Sequence, residues 1–163
     1  MEQGPTILRK KKPQVMTEVG WCEMVHIPSL GITNAHAKMD SGAATSSIHA
    51  THIVPMEREG ELWVSFLFRA AAGEPSVRLE AKVIERRKVR SSNGKEQIRY
   101  VIRAKMCFGT VCWDGQLTLA NRGTMAFPVL IGRRSLRRGF LVNSKLRWTL
   151  GKPEKTIITK ELK

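Results

Sequence analysis

Apolar and polar positions alternate with a period of two along much of the chain, the signature of strands with one buried face. The clearest run is Val77-Arg78-Leu79-Glu80-Ala81-Lys82-Val83-Ile84. Residues 61–68, with Trp63, Phe66 and Phe68, are rich in strand-favouring side chains. Residues 21–27 and 32–39 read as two strands joined by the turn Pro28-Ser29-Leu30-Gly31, and 46–53 as another extended segment. A loop is expected over 70–76, around Gly73 and Pro75. Asn93-Gly94 is the strongest hairpin signal, with charged arms over 85–90 and 95–103. A second hairpin folds 98–108 onto 111–119 around Gly109. Residues 127–132 form an apolar strand, and 133–139 the one short helix, ended by Gly139. Residues 140–142 and 146–150 are expected to close the sheet. Many short strands and one C-terminal helix predict an all-β, barrel-like fold.

Length and composition fit one globular domain: 163 residues, 42% hydrophobic and 26% charged. The chain divides into a flexible basic leader (1–17), a folded domain (18–150) and a basic C-terminal tail (151–163). No apolar run approaches the ~20 residues that span a bilayer. The first residues lack the apolar core of a secretory signal, which leads to an expectation of a cytoplasmic protein without a membrane partner. Three cysteines argue against a disulfide framework and suit a reducing compartment. Charge adds more. The net value is +14; residues 1–12 contribute +3 and 152–163 contribute +2, leaving +9 on the body. Such a body attracts polyanions: nucleic acid, anionic lipid or an acidic peptide.

The candidate chemistry centres on Ala37-Lys38-Met39-Asp40-Ser41-Gly42-Ala43-Ala44-Thr45-Ser46-Ser47-Ile48. A carboxylate followed by a hydroxyl and a glycine suits an aspartic protease loop. The hydroxyl holds neighbouring backbone, and the glycine permits close approach to a partner carboxylate. About ninety residues later comes Met125-Ala126-Phe127-Pro128-Val129-Leu130-Ile131-Gly132-Arg133, whose glycine would let an apolar strand cross beneath that loop. These two motifs, with Arg99-Tyr100, Trp113, Leu117-Thr118-Leu119 and Asn121-Arg122 between them, resemble the retropepsin-like aspartic protease family also known as ATP-dependent zinc proteases. The likeness covers residues 18–150 approximately.

That resemblance implies a closed retropepsin-like barrel and peptide hydrolysis by water held between two aspartates. It also implies a functional link to ATP-grasp ligases that add glutamates to proteins, whose tails such proteases are proposed to trim. Two departures stand out. Ser41 replaces the commoner Thr and keeps the hydroxyl. Ala44 stands where retroviral relatives place the Asp that pairs with the Gly-Arg arginine, so Arg133 needs another partner.

The chain contains two aspartates, Asp40 and Asp114, and only Asp40 has the Ser-Gly context. A proton-sharing dyad therefore predicts a homodimer in which Asp40 meets its own copy. Ser41, Gly42 and Ala43 complete the loop, with Lys38, Gly132 and Arg133 in support. Lys38 shares a strand face with Asp40, and approaching it, pointing to solvent or pairing with Glu23 are all open. An acidic or polyglutamylated substrate suits Arg86, Arg87, Lys88 and Arg90 on the polar hairpin, a candidate flap, or Arg134, Arg137 and Arg138 on the helix.

No cofactor is expected, since no phosphate-binding glycine loop offers an ATP site. For zinc, His49 with His52 lacks a third ligand, and Cys107 with Cys112 makes half a site, so no metal is assigned. Two rivals stay open: a nucleic-acid-binding β-barrel stacking bases on Trp63, Tyr100 and Trp113, and a catalytically inactive protease fold serving as a binding module.

Overall fold

The computed structural model describes residues 15–90, 94–121, 123 and 126–159, with backbone alone at 89 and 90. Most of the expected leader, the Arg90 side chain, Asn93 at the hairpin tip, Arg122 and Met125 lie outside the described residues.

The barrel follows from the strand pairings. β1 (Thr17–Gly20) leads into β2 (Cys22–Ile27), which turns through Pro28–Leu30 into β3 (Ile32–Asp40). Gly31 closes that turn at φ 70°, a left-handed position that glycine adopts without a Cβ penalty. Next come β4 (Ser46–His49), the hairpin β5 (Thr51–Arg58) and β6 (Glu61–Phe68), and the long hairpin β7 (Val77–Arg90) and β8 (Glu96–Phe108). The chain continues through β9 (Val111–Ala120), β10 (Val129–Gly132), the one-turn helix α1 (Arg133–Leu136), β11 (Phe140–Asn143) and β12 (Ile157–Ile158). Strand pairing runs β2-β3-β10-β4-β9-β8 and returns to β2, closing a six-stranded barrel. The fold is all-β and, as the resemblance implies, retropepsin-like, with one short α-helix among the described residues.

Alternation places the core. Val25, Ile27, Ile32, Ile48, Phe66, Ile102, Met106, Leu117, Leu119 and Ile131 are fully buried. Phe108, Trp113 and Phe140 pack together with 5.2 Å between each pair of ring centroids, sealing the end near α1. The β5–β6–β7 face outside the barrel carries cross-strand pairs instead, Arg58–Glu80 at 2.8 Å and Lys82–Glu61 at 2.9 Å. β7 joins both regions, kinking at a register shift between Val83 and Glu85.

Residues 146–150 do not form the expected strand. They turn tightly, with Trp148 at φ 52°: Leu146 N donates to Asn143 O and Trp148 N to Cys22 O, while the Thr149 and Leu150 donors go to a buried carboxylate rather than to a ladder. Glu23 on β2 has no solvent exposure. It accepts from Gly20 N (2.6 Å), Thr149 N (3.1 Å), Leu150 N (3.1 Å) and the Thr149 hydroxyl. A buried carboxylate is tolerated where donors surround it. Beyond that knot, 154–156 hydrogen-bond to Asn34 and His36, and β12 pairs with the start of β3.

The cysteine expectation also changes. Cys107 and Cys112 face each other across the β8–β9 ladder and form a disulfide, with Cα atoms 4.0 Å apart. The odd count hid this local bridge because Cys22, buried in β2, is the unpaired thiol. Among the described residues no helix is long and apolar enough to cross a membrane.

Candidate active site

Asp40 ends β3, and the loop that follows delivers the chain to β4. These two strands are not hydrogen-bonded to each other. β10 runs between them, parallel to β3 and antiparallel to β4, with Gly132 level with Asp40. The 41–45 loop must therefore arch over the end of β10. A Cβ on Gly132 would sit 2.5 Å from both C and O of Thr45, so only glycine passes beneath.

Several bonds fix this crossing. Arg133 N donates to Ala43 O (2.7 Å), and Arg134 N to Ala44 O (3.1 Å). Gly132 N donates to the buried Ser46 hydroxyl at 2.9 Å. Ser46 Oγ lies 3.4 Å from Ser135 Oγ, which accepts from Trp113 Nε1 at 3.1 Å. Loop, helix and barrel wall thus share one buried polar chain. Ser46 and Ser135 escaped the sequence reading; serines at buried strand and helix positions directly below the loop were the only signal.

Within the loop, Asp40 Oδ1 accepts from Gly42 N (3.1 Å) and Ala43 N (3.3 Å). The second carboxylate oxygen has no partner among the described residues. Arg133 finds the partner that Ala44 denies it: its Nη1 donates to Ser41 O (3.0 Å) and Gly42 O (3.4 Å), bracing the loop through carbonyls. The exposed Ser41 hydroxyl does not bond neighbouring backbone, contrary to the expected role; among the described residues it has no partner.

Other candidates fall elsewhere. Lys38 is exposed, with no ion pair to Asp40 or Glu23 among the described residues; Glu23 is occupied in its buried knot. Asp114 is exposed on β9, opposite Lys105, and has no hydrogen bond to the Asp40 loop among the described residues. On the polar hairpin, Arg87 Nε and Nη2 bond both Glu85 oxygens at 2.8 and 2.9 Å, while Arg86 and Lys88 stay exposed. The Arg87 hydrogen bond, helped by the charges of Arg87 and Arg134, holds the Glu85 carboxyl below its usual range. His49 is buried and His52 exposed, and no group of three metal-ligating side chains occurs among the described residues. Trp113 is locked into the aromatic cluster, which removes it from the proposed base-stacking surface.

Residues 18–153 match the family model described as RimB-like, retropepsin-like aspartic endopeptidase RimB. The chain belongs to this RimB-like family. Curated relatives carry the name probable alpha-L-glutamate ligase. One from Shewanella pealeana is 41% identical over 133 residues, which cover 80% of this chain and 28% of the relative. Another, from Parasynechococcus marenigrum, is 40% identical over the same shares. The matched stretch is thus less than a third of those proteins. A Legionella pneumophila protein of unknown function shares the fold, at TM-score 0.68 and 23% identity, over 82% of this chain and 98% of its own.

Proposed function

We propose that this RimB-like chain is an aspartic endopeptidase acting as a symmetric homodimer on acidic or polyglutamylated protein tails. The observation that carries the reading is the Asp40 loop: one carboxylate, anchored through Oδ1, with its other oxygen unengaged, over a glycine crossing braced by Arg133. One subunit offers a single such loop, and Asp114 sits on β9, outside it and without the Ser-Gly context. Two copies related by a twofold axis supply the second carboxylate. The free Ser41 hydroxyl is then available to the facing loop.

In the dyad one Asp40 is ionised and its copy protonated, because adjacent carboxylates share a proton. The ionised group takes a proton from water as its oxygen bonds the scissile carbonyl carbon. The protonated group gives its proton to the carbonyl oxygen. Collapse of the resulting diol breaks the C–N bond: the nitrogen leaves with the proton taken from water, and a diol hydroxyl returns its proton to the other carboxylate, which restores the dyad. The basic body favours substrates rich in glutamate. The relatives' name supports the same class and a working partnership with an ATP-grasp glutamate ligase.

The test is hydrolysis of a peptide ending in a run of glutamates. Cleavage by the full chain, abolished by Asp40→Ala, supports the assignment; cleavage that survives the substitution ends it.

A further inference from the structure

A cavity of about 300 Å³ opens beside the catalytic loop, bounded by Thr45 and Ser46, by Asp114 on β9, and by Arg103, Arg134 and Arg138. The three arginines come from different places: Arg103 from β8, Arg134 from α1, and Arg138 from just past α1. None is ion-paired among the described residues, and no salt bridge joins them to Asp114. Three arginines lining one cavity with a single carboxylate leave an excess of positive charge there, which Glu85, whose carboxyl feels the charge of Arg134 from outside the cavity lining, offsets only in part. Planar guanidinium forks are suited to carboxylates.

The cavity is also rigidly tied to the chemistry. Its floor is the buried Ser46–Ser135 pair, and Arg134 N holds the loop at Ala44 O. Thr45 lies five residues beyond Asp40 on the same loop. A substrate side chain seated here would fix the position of the peptide bond relative to Asp40.

We propose that Arg103, Arg134 and Arg138 form a subsite that takes the side-chain carboxylate of a substrate glutamate flanking the cleaved bond. This rests on the endopeptidase reading and assigns its specificity to one pocket rather than to general surface charge. Arg137 supplies the internal contrast, being exposed on the same turn but outside the cavity. Asp114 opposes an incoming anion at the rim.

The experiment measures anisotropy of labelled tetraglutamate and tetraglutamine peptides on the full-length Asp40→Asn protein. The glutamate peptide binds about tenfold more tightly or better, the scale of charge-assisted hydrogen bonds to a carboxylate. Arg134→Gln combined with Arg138→Gln removes that preference, Arg137→Gln keeps it, and Asp114→Asn increases it. With Asp40 intact, the double variant lowers kcat/KM for the glutamate peptide by about tenfold or more, while Arg137→Gln leaves it near its starting value. Equal binding of the two peptides, a retained preference in the double variant, or an equal loss in Arg137→Gln would overturn the subsite. If the unaltered chain cuts no peptide, the endopeptidase reading fails, and the binding preference still decides the subsite.

Discussion

Replacing Gly132 with alanine tests the crossing beneath the Asp40 loop. The added Cβ would lie 2.5 Å from C and O of Thr45 and 2.9 Å from N of Ser46, where ordinary contact begins at 3.4 Å. All three atoms are backbone, so no side chain can swing aside. Relief requires the loop or β10 to move by about 0.9 Å, the difference between 2.5 and 3.4 Å. Overpacking of this kind costs about 1–3 kcal/mol. Losing the Gly132 N to Ser46 hydrogen bond adds about 1 kcal/mol. At roughly 2–4 °C per kcal/mol for a chain of this size, Tm falls by about 4–16 °C. Because the displaced loop carries Asp40, a shift near 1 Å lowers kcat by about a hundredfold. Thermal melting and peptide hydrolysis, run on the same preparation, measure both. A variant that melts with the parent and keeps its turnover would refute the crossing as described.

Three further outcomes follow from the same structure. Arg133→Ala releases the Ser41 and Gly42 carbonyls and lowers stability by about 1–2 kcal/mol in urea titration, with Arg133→Lys recovering part of it. Glu23→Ala orphans the donors of Gly20, Thr149 and Leu150, costing about 3–5 kcal/mol, with protection from amide exchange lost first at Thr149 and Leu150. For Cys22, burial, then the nearby Glu23 charge, raises the thiol pKa above its ordinary 9.0, against the opposing charge of Arg147. The thiol is therefore less ionised than a free cysteine at a given pH and, being buried, resists iodoacetamide until urea unfolds the chain, as mass spectrometry would show; rapid native labelling would contradict this.

Much of this architecture was legible in the residues because period-two alternation and turn chemistry act locally. The strand 61–68 and the reversals at Gly31 and Gly109 follow from side chains within a few positions of one another. The Asp40 loop and the Gly132 strand were legible as motifs, and their meeting depends on β10 slotting between β3 and β4. What escaped was long-range. Residues 146–150 look strand-like, yet a carboxylate over 120 residues away captures the donors of Thr149 and Leu150. The extended segment expected over 46–53 divides at Ala50 into β4 and β5, and Pro55 with the charged end of β5 concealed how far that edge strand runs, where proline loses no ladder bond it needs. Arg133's carbonyl partners could not be read from sequence, because backbone acceptors carry no residue signature. The same holds for the Arg103 cavity wall, placed beside α1 only by the β8–β9 register.

The central claim, one Asp40 from each of two subunits, is tested most directly by subunit mixing. Full-length chain and its Asp40→Asn variant are unfolded together, refolded at varied ratios, and assayed on a glutamate-tailed peptide. A shared dyad predicts activity falling as the square of the unaltered fraction, to about one quarter in an equal mixture. A linear fall, to about one half, would mean that each subunit works alone and would contradict the account.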